Sequence, residues 1–187
     1  MKRLIVAVAL LCTSFTFAKG QYDVSLIGEV TDESLSKLYD DLAAQPDGST
    51  VQVRIDSPGG DAIATIVGLD VIGTMIHDKG LVLECRGTGL VASAALVLYE
   101  GLCNGKRSLA PSTLVLAHAA TMGNVGGKVG TIEQALALLR ALNRALAAPL
   151  AARMNISVDE AVEWEGDTDH WLTPDQAVSL GLADEVR

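Results

Sequence analysis

From Tyr22 onward, short β-branched runs alternate with longer stretches in which apolar residues recur every three or four positions. That change of period marks strands and helices taken in turn. A first strand is expected over residues 22–28. Thr31 or Asp32 caps a helix reaching about Gln45, with Leu35, Leu38 and Leu42 along one face. Residues 51–55 form a β-rich run that ends at Asp56-Ser57-Pro58-Gly59-Gly60. The next helix turns Ile63, Ile66, Val67, Val71, Ile72 and Met75 inward and stops at Gly80. Residues 81–85 read as a strand, 86–91 as a glycine-containing turn, and a helix starts near Ser93. Two short strands, 107–110 and 113–117, flank a Pro111-Ser112 corner.

The glycines between Thr121 and Gly130 predict a mobile surface loop. Beyond it, Ile132, Leu136, Leu139, Leu142, Leu146 and Leu150 keep helical spacing. The stretch from Ile132 to Leu146 is expected to bury against the sheet on one side and a neighbouring subunit on the other. Pro149 lies inside the pattern, so a kink or break is expected there. Ser157 and Glu160 form a capping-box signature, Thr173-Pro174 opens a last helix, and Gly181 ends it. No linker, repeat or low-complexity stretch divides the chain, so one α/β domain is expected.

Composition adds three points. Aromatics are only 4% of a chain that is 49% hydrophobic, so small aliphatics fill the core. The formal net charge is -9 and no basic run exists, which argues against nucleic acid as a partner. The start is different: Lys2 and Arg3 precede an uncharged run from Leu4 to Ala18, with Thr16 and Ala18 placed for cleavage before Lys19. This is a signal-peptide pattern, shorter than the roughly 20 residues of a stable membrane span. Residues 1–18 are thus expected to be a signal peptide and 19–187 the mature domain, periplasmic or secreted. Cys12 falls in the leader. Cys85 and Cys103 remain, and this layout places them too far apart for a disulfide, so two unpaired thiols are expected.

Two turns between a strand and a helix could carry chemistry. Ser57-Pro58-Gly59-Gly60 lets a ligand approach backbone amides, although a tight turn alone explains such glycines equally well. Gly87-Thr88-Gly89-Leu90-Val91-Ala92-Ser93-Ala94-Ala95 sets a serine at a helix start among small residues. A serine there is ordinarily an N-cap, but small neighbours leave room for a substrate at its hydroxyl. A serine nucleophile needs a base. Of the three histidines, His77 sits at a helix end, whereas His118 closes the apolar run Leu114-Val115-Leu116-Ala117. Sites in α/β proteins are built at such strand ends.

Taken together, these segments resemble the Clp protease proteolytic subunit family. They are Ile55-Asp56-Ser57-Pro58-Gly59-Gly60, Gly89-Leu90-Val91-Ala92-Ser93-Ala94, Gly105-Lys106-Arg107 with Ser112 to His118, and Asp169-His170-Trp171-Leu172-Thr173 with Gly181-Leu182-Ala183-Asp184. The resemblance implies a crotonase-like spiral of ββα units. It also implies a serine endopeptidase with Ser93, His118 and Asp169 as triad and the amides of Gly59, Gly60 and Ala94 as oxyanion hole. No metal or organic cofactor is implied. The expected substrate is a peptide or unfolded protein and the expected state a homo-oligomer. An ATP-driven unfoldase is not expected as a partner, since an exported protein meets no ATP. Two other readings remain: a Ser–Lys dyad with Lys128 as base, and a crotonase-like protein that is not a peptidase.

Overall fold

Val51, Val53 and Ile55 alternate with Gln52, Arg54 and Asp56, so one face of their strand is buried and the other half-exposed. The rest of the sheet is built on this strand. A computed structural model describes residues 22–187; the expected leader, residues 1–18, lies outside the described residues. The elements in order are β1 (Val24–Ile27), α1 (Asp32–Ala43), β2 (Thr50–Ser57), α2 (Ala62–Lys79), β3 (Val82–Ala92), α3 (Ala94–Leu102) and β4 (Arg107–Leu109). They continue with β5 (Leu114–Ala117), α4 (Val129–Met154), α5 (Val158–Glu165), β6 (His170–Leu172), α6 (Pro174–Ser179) and β7 (Glu185–Val186). The strands form one sheet in the order β1-β2-β3-β4-β7, with β5 on β3 and β6 on β5. All pairings are parallel except β5 with β6. The chain is a single α/β domain on a parallel sheet, as expected.

β3 organises the site. Residues 86–91 were expected to be a turn, yet they continue the strand. The first half of β3 pairs with β4 and the second half with β5, so the strand crosses from one neighbour to the other. The crossing is at Gly87 and Gly89. A Cβ on Gly87 would lie 2.6 Å from Leu109 Cδ2, and one on Gly89 would lie 2.6 Å from Asp56 Oδ1. Glycine here serves close packing of the sheet as well as turning.

The longer strand also overturns the expectation for the cysteines. Cys85 lies near the start of β3, and α3 runs back so that its end returns there. Gly105 N donates to Leu83 O at 3.0 Å, which marks the return. Cys85 and Cys103 are therefore 5.9 Å apart at Cα and form a disulfide, within the usual range for such a bond.

Two helices differ from the expected burial. In α2 the inward face is Ala64, Gly68, Ile72, Met75 and Ile76, while Ile63, Val67 and Val71 are exposed. This helix is apolar around most of its girth, so spacing could not choose the inner face. Gly68 marks the inner face, where a Cβ would lie 2.9 Å from Leu35 Cδ1. The long α4 runs on through Pro149 without a break. The proline ring packs near Gly101, and Arg153 one turn later donates to the carbonyls of Glu100 and Cys103 at 3.0 and 2.7 Å. Of the stripe expected to bury between the sheet and a neighbouring subunit, Ile132 and Leu136 are about half exposed within the single chain, as is Leu138, and burial on the domain begins only at Leu146. By length and composition alone α4 is long and apolar enough to cross a membrane, but its last turns are built into the core.

A buried ion pair lies where α3 meets β4. Arg107 pairs with Glu100 and, at 2.8 Å, with Asp184, which joins α3, β4 and the C-terminal segment. Burial pushes Glu100 up to about 8 despite both arginines nearby.

Candidate active site

Ser93 follows the last residue of β3 and precedes α3. Its φ of 55° and ψ of -127° are unfavourable for a residue with a Cβ. Although it occupies the N-cap position, its side chain makes no capping hydrogen bond. The hydroxyl is thus turned away from the role a helix-start serine usually has. Strain of this kind at a strand-to-helix turn exposes a nucleophile.

The Gly59 turn lies directly against this elbow. A Cβ on Gly59 would be 2.7 Å from Ser93 Cβ and 2.9 Å from Ala94 N, and the residue has φ 91°. The Gly59 amide donates to Ser57 Oγ at 3.1 Å. The amides of Gly60 and Ala94 have no acceptor among the described residues. Two free N–H groups beside a serine hydroxyl are the parts of an oxyanion site.

His118 comes to the same place through the sheet. Ala92 pairs with Leu116 in the β3–β5 ladder, and His118 lies just past the end of β5. Ser93 and His118 both line a cavity of about 330 Å³, together with Gly60, Ala94 and Asn143. His118 Nδ1 is 2.7 Å from the carbonyl oxygen of Ala119. Only an N–H can pair with a carbonyl, so Nδ1 carries a proton, and in the neutral ring Nε2 is the nitrogen that can accept one.

A family model described as Clp protease matches residues 12–187. The chain belongs to the Clp protease family. It is 33% identical over 141 residues to an ATP-dependent Clp protease proteolytic subunit of Bacteroides fragilis, a match covering 74% of this chain and 64% of that protein. It is 30% identical over 146 residues to proteolytic subunit 2 of Tropheryma whipplei, covering 78% of each. It is 29% identical over 162 residues to proteolytic subunit 1 of Leifsonia xyli, covering 85% of this chain and 79% of that one. The chain therefore spans less than two thirds of the length of the Bacteroides relative.

The third residue expected of a Clp-family triad, Asp169, adjoins His118 across the antiparallel β5–β6 pair. Ala117 pairs with His170, and one more step of that register sets His118 opposite Asp169. Both line a second cavity, which Ser93 does not line. No hydrogen bond joins them in this structure, where the Ala119 carbonyl holds Nδ1 instead. Nor is Ser93 hydrogen-bonded to His118. Lys128, the base of the alternative dyad, is exposed at the N-cap of α4 and does not line the Ser93 cavity.

Sequence reasoning missed Glu165. It ends α5, is 4% exposed, and lines the Ser93 cavity. Burial raises its carboxyl to about 7. The signal was there: Ala161 and Glu165 are four apart and form the buried face of α5. The acidic neighbours Glu160, Glu163 and Asp167 concealed Glu165, since a carboxylate among them is ordinarily solvent-facing. Asn143 was also missed; its Oδ1 accepts from Ala120 N at 2.8 Å and so holds the segment after His118 against α4. Among the described residues, no group of three His, Cys, Asp or Glu side chains is placed to hold a metal ion.

Proposed function

We propose that this Clp-family chain is an exported serine endopeptidase that cuts peptides or unfolded proteins with Ser93, His118 and Asp169, without ATP. The observation that carries the reading is Ser93: a strained residue whose hydroxyl is free of capping and shares a cavity with His118 and two unpaired amides.

In this reading Ser93 Oγ bonds to the scissile carbonyl carbon as its proton passes to His118 Nε2. The carbonyl oxygen becomes an oxyanion held by the amides of Gly60 and Ala94, each contributing roughly 3 kcal/mol. Gly59 supplies the close approach. The imidazolium then gives its proton to the amide nitrogen as the C–N bond breaks, which releases an amine and leaves an acyl-Ser93. Water attacks this ester with His118 as base, and a carboxylic acid leaves. Asp169 is the carboxylate placed to take Nδ1 from the Ala119 carbonyl and stabilise the imidazolium.

Export is supported by the charged start and apolar run of residues 1–18 and by the Cys85–Cys103 disulfide, since such bonds persist in oxidising compartments. Outside the cytoplasm no ATP drives an unfoldase, so the reading departs from relatives named ATP-dependent. Self-association is supported by the exposed apolar side of α4. The test is a fluorophosphonate probe on the exported protein, with the labelled residue found by mass spectrometry. Labelling at Ser93, absent in Ser93→Ala, is expected; an unlabelled Ser93 overturns the peptidase reading. Peptide turnover that rises with added ATP overturns its ATP-independence.

A further inference from the structure

The Ser93 cavity has apolar walls and one uncommitted charge. Ile63, Val97, Leu142 and Leu146 supply aliphatic surface. Three titratable side chains reach it: Asp61, His118 and Glu165. Asp61 is occupied, its Oδ1 accepting from the amides of Ile63 and Ala64 at 2.7 and 2.8 Å as the cap of α2. His118 is the base. The Glu165 carboxylate has no hydrogen bond or ion pair among the described residues, although the residue is more than nine-tenths buried. No lysine or arginine lines the cavity. A buried carboxylate without a partner is costly and normally finds a cation.

We propose that Glu165 is the specificity residue of this cavity and selects substrates with a lysine or arginine side chain on the acyl side of the scissile bond. The proposal rests on the reading of Ser93 as the nucleophile. The match is chemical: the methylene stem of such a side chain packs on the leucines and Val97, and its charged head meets the carboxylate. A cationic head also favours the ionised form of Glu165, against the burial that raises its carboxyl to about 7. An aliphatic side chain of the same shape fills the walls but leaves the carboxyl without a partner.

The test uses two peptidyl diphenyl phosphonates that are identical except at the acyl-side residue, lysine in one and norleucine in the other. Norleucine keeps the straight chain and lacks the ammonium. Each is incubated with the full chain at pH 8, and the rate of Ser93 modification is followed by intact mass. The lysine probe should react roughly tenfold faster or more, as expected for a desolvated charge pair. In Glu165→Gln the ratio should fall close to one. A norleucine probe that reacts as fast as the lysine probe overturns the proposal, and so does a ratio that Glu165→Gln leaves unchanged. If the variant does not fold, judged by its melting curve and by uptake of a small uncharged fluorophosphonate, the wild-type ratio decides alone. Failure of every phosphonate and fluorophosphonate to modify Ser93 in the wild type strikes the peptidase reading itself. Modification without cation preference strikes only the role of Glu165.

Discussion

The amide of Ser93 donates a 2.8 Å hydrogen bond to the carbonyl of Leu116. This bond extends the β3–β5 ladder one residue past Ala92 and sets the elbow against the strand that ends before His118. Ser93 and His118, 25 residues apart in sequence, line one cavity because two parallel strands end together. Backbone pairing, not side-chain contact, makes the site.

The triad assignment is tested by three substitutions on one peptide ester substrate. Asp169→Asn should fold and lose turnover by about 10⁴-fold, as loss of the carboxylate behind the imidazole does in other triads. Lys128→Ala should stay active, since Lys128 is exposed and away from the cavity. Ser93→Ala is the blank. A dead Lys128→Ala beside an active Asp169→Asn would replace the triad with the dyad.

Gly59→Ala should abolish labelling of Ser93. The added methyl would sit 2.7 Å from both Ala92 O and Ser93 Cβ, on a backbone with φ 91°. Those contacts are backbone and Cβ, so nothing flexible can yield. A loss of stability of roughly 1–3 kcal/mol from the backbone conformation alone is expected in denaturant titration. Full labelling in this variant would show that the two turns are not in contact.

The disulfide closes a loop with a sequence separation of 18. Cys85→Ala with Cys103→Ala should cost about 3 kcal/mol, measured by chemical denaturation under oxidising conditions. In the wild type, iodoacetamide should add to these thiols only after reduction and unfolding, because both residues are buried. Alkylation of the native exported protein without reductant would contradict the bond.

Glu165 makes stability depend on pH. Its folded-state carboxyl keeps a proton up to about pH 7, against an ordinary value of 4.5. Between those values the folded chain binds more protons than the unfolded one, so stability falls as pH rises. Glu165→Gln removes this loss. It should melt above the wild type at pH 8, by roughly 2–4 °C for each kcal/mol regained, and the gap should close near pH 4.5. Equal melting temperatures at pH 8 would show that the carboxyl is solvated or paired.

The exposed apolar side of α4 should drive assembly. Replacing Ile132 and Leu136 with Glu is expected to shift the protein to a smaller species in light scattering at micromolar concentration, with its melting curve little changed. Both side chains are about half exposed within one chain, so folding of the single chain does not depend on them. A wild-type monomer would remove the claim.

The alternation of strand and helix periods, the caps at Thr31, Ser157 and Thr173, and the order of the motifs were all legible along the chain. Those features depend on neighbours within a few residues, which sequence pattern reports directly. Ser93, His118 and the Gly59 turn were legible for the same reason, since each sits at the end of an element. What only the tertiary structure decided concerns partners distant in sequence. The length of β3 was hidden because Gly87 and Gly89 read as a turn until their neighbours Leu109 and Asp56 left no room for a side chain. The disulfide followed from that length. Which half of α4 is buried could not be read from a stripe apolar along its whole length; contact with α3 at Gly101 and Glu100 selected the C-terminal half. Glu165 is the sharpest case. Its charge belongs in water by type, and only the packing of α5 against α4 takes it out of water and turns it toward Ser93, because burial is a property of the assembled fold and not of the residue.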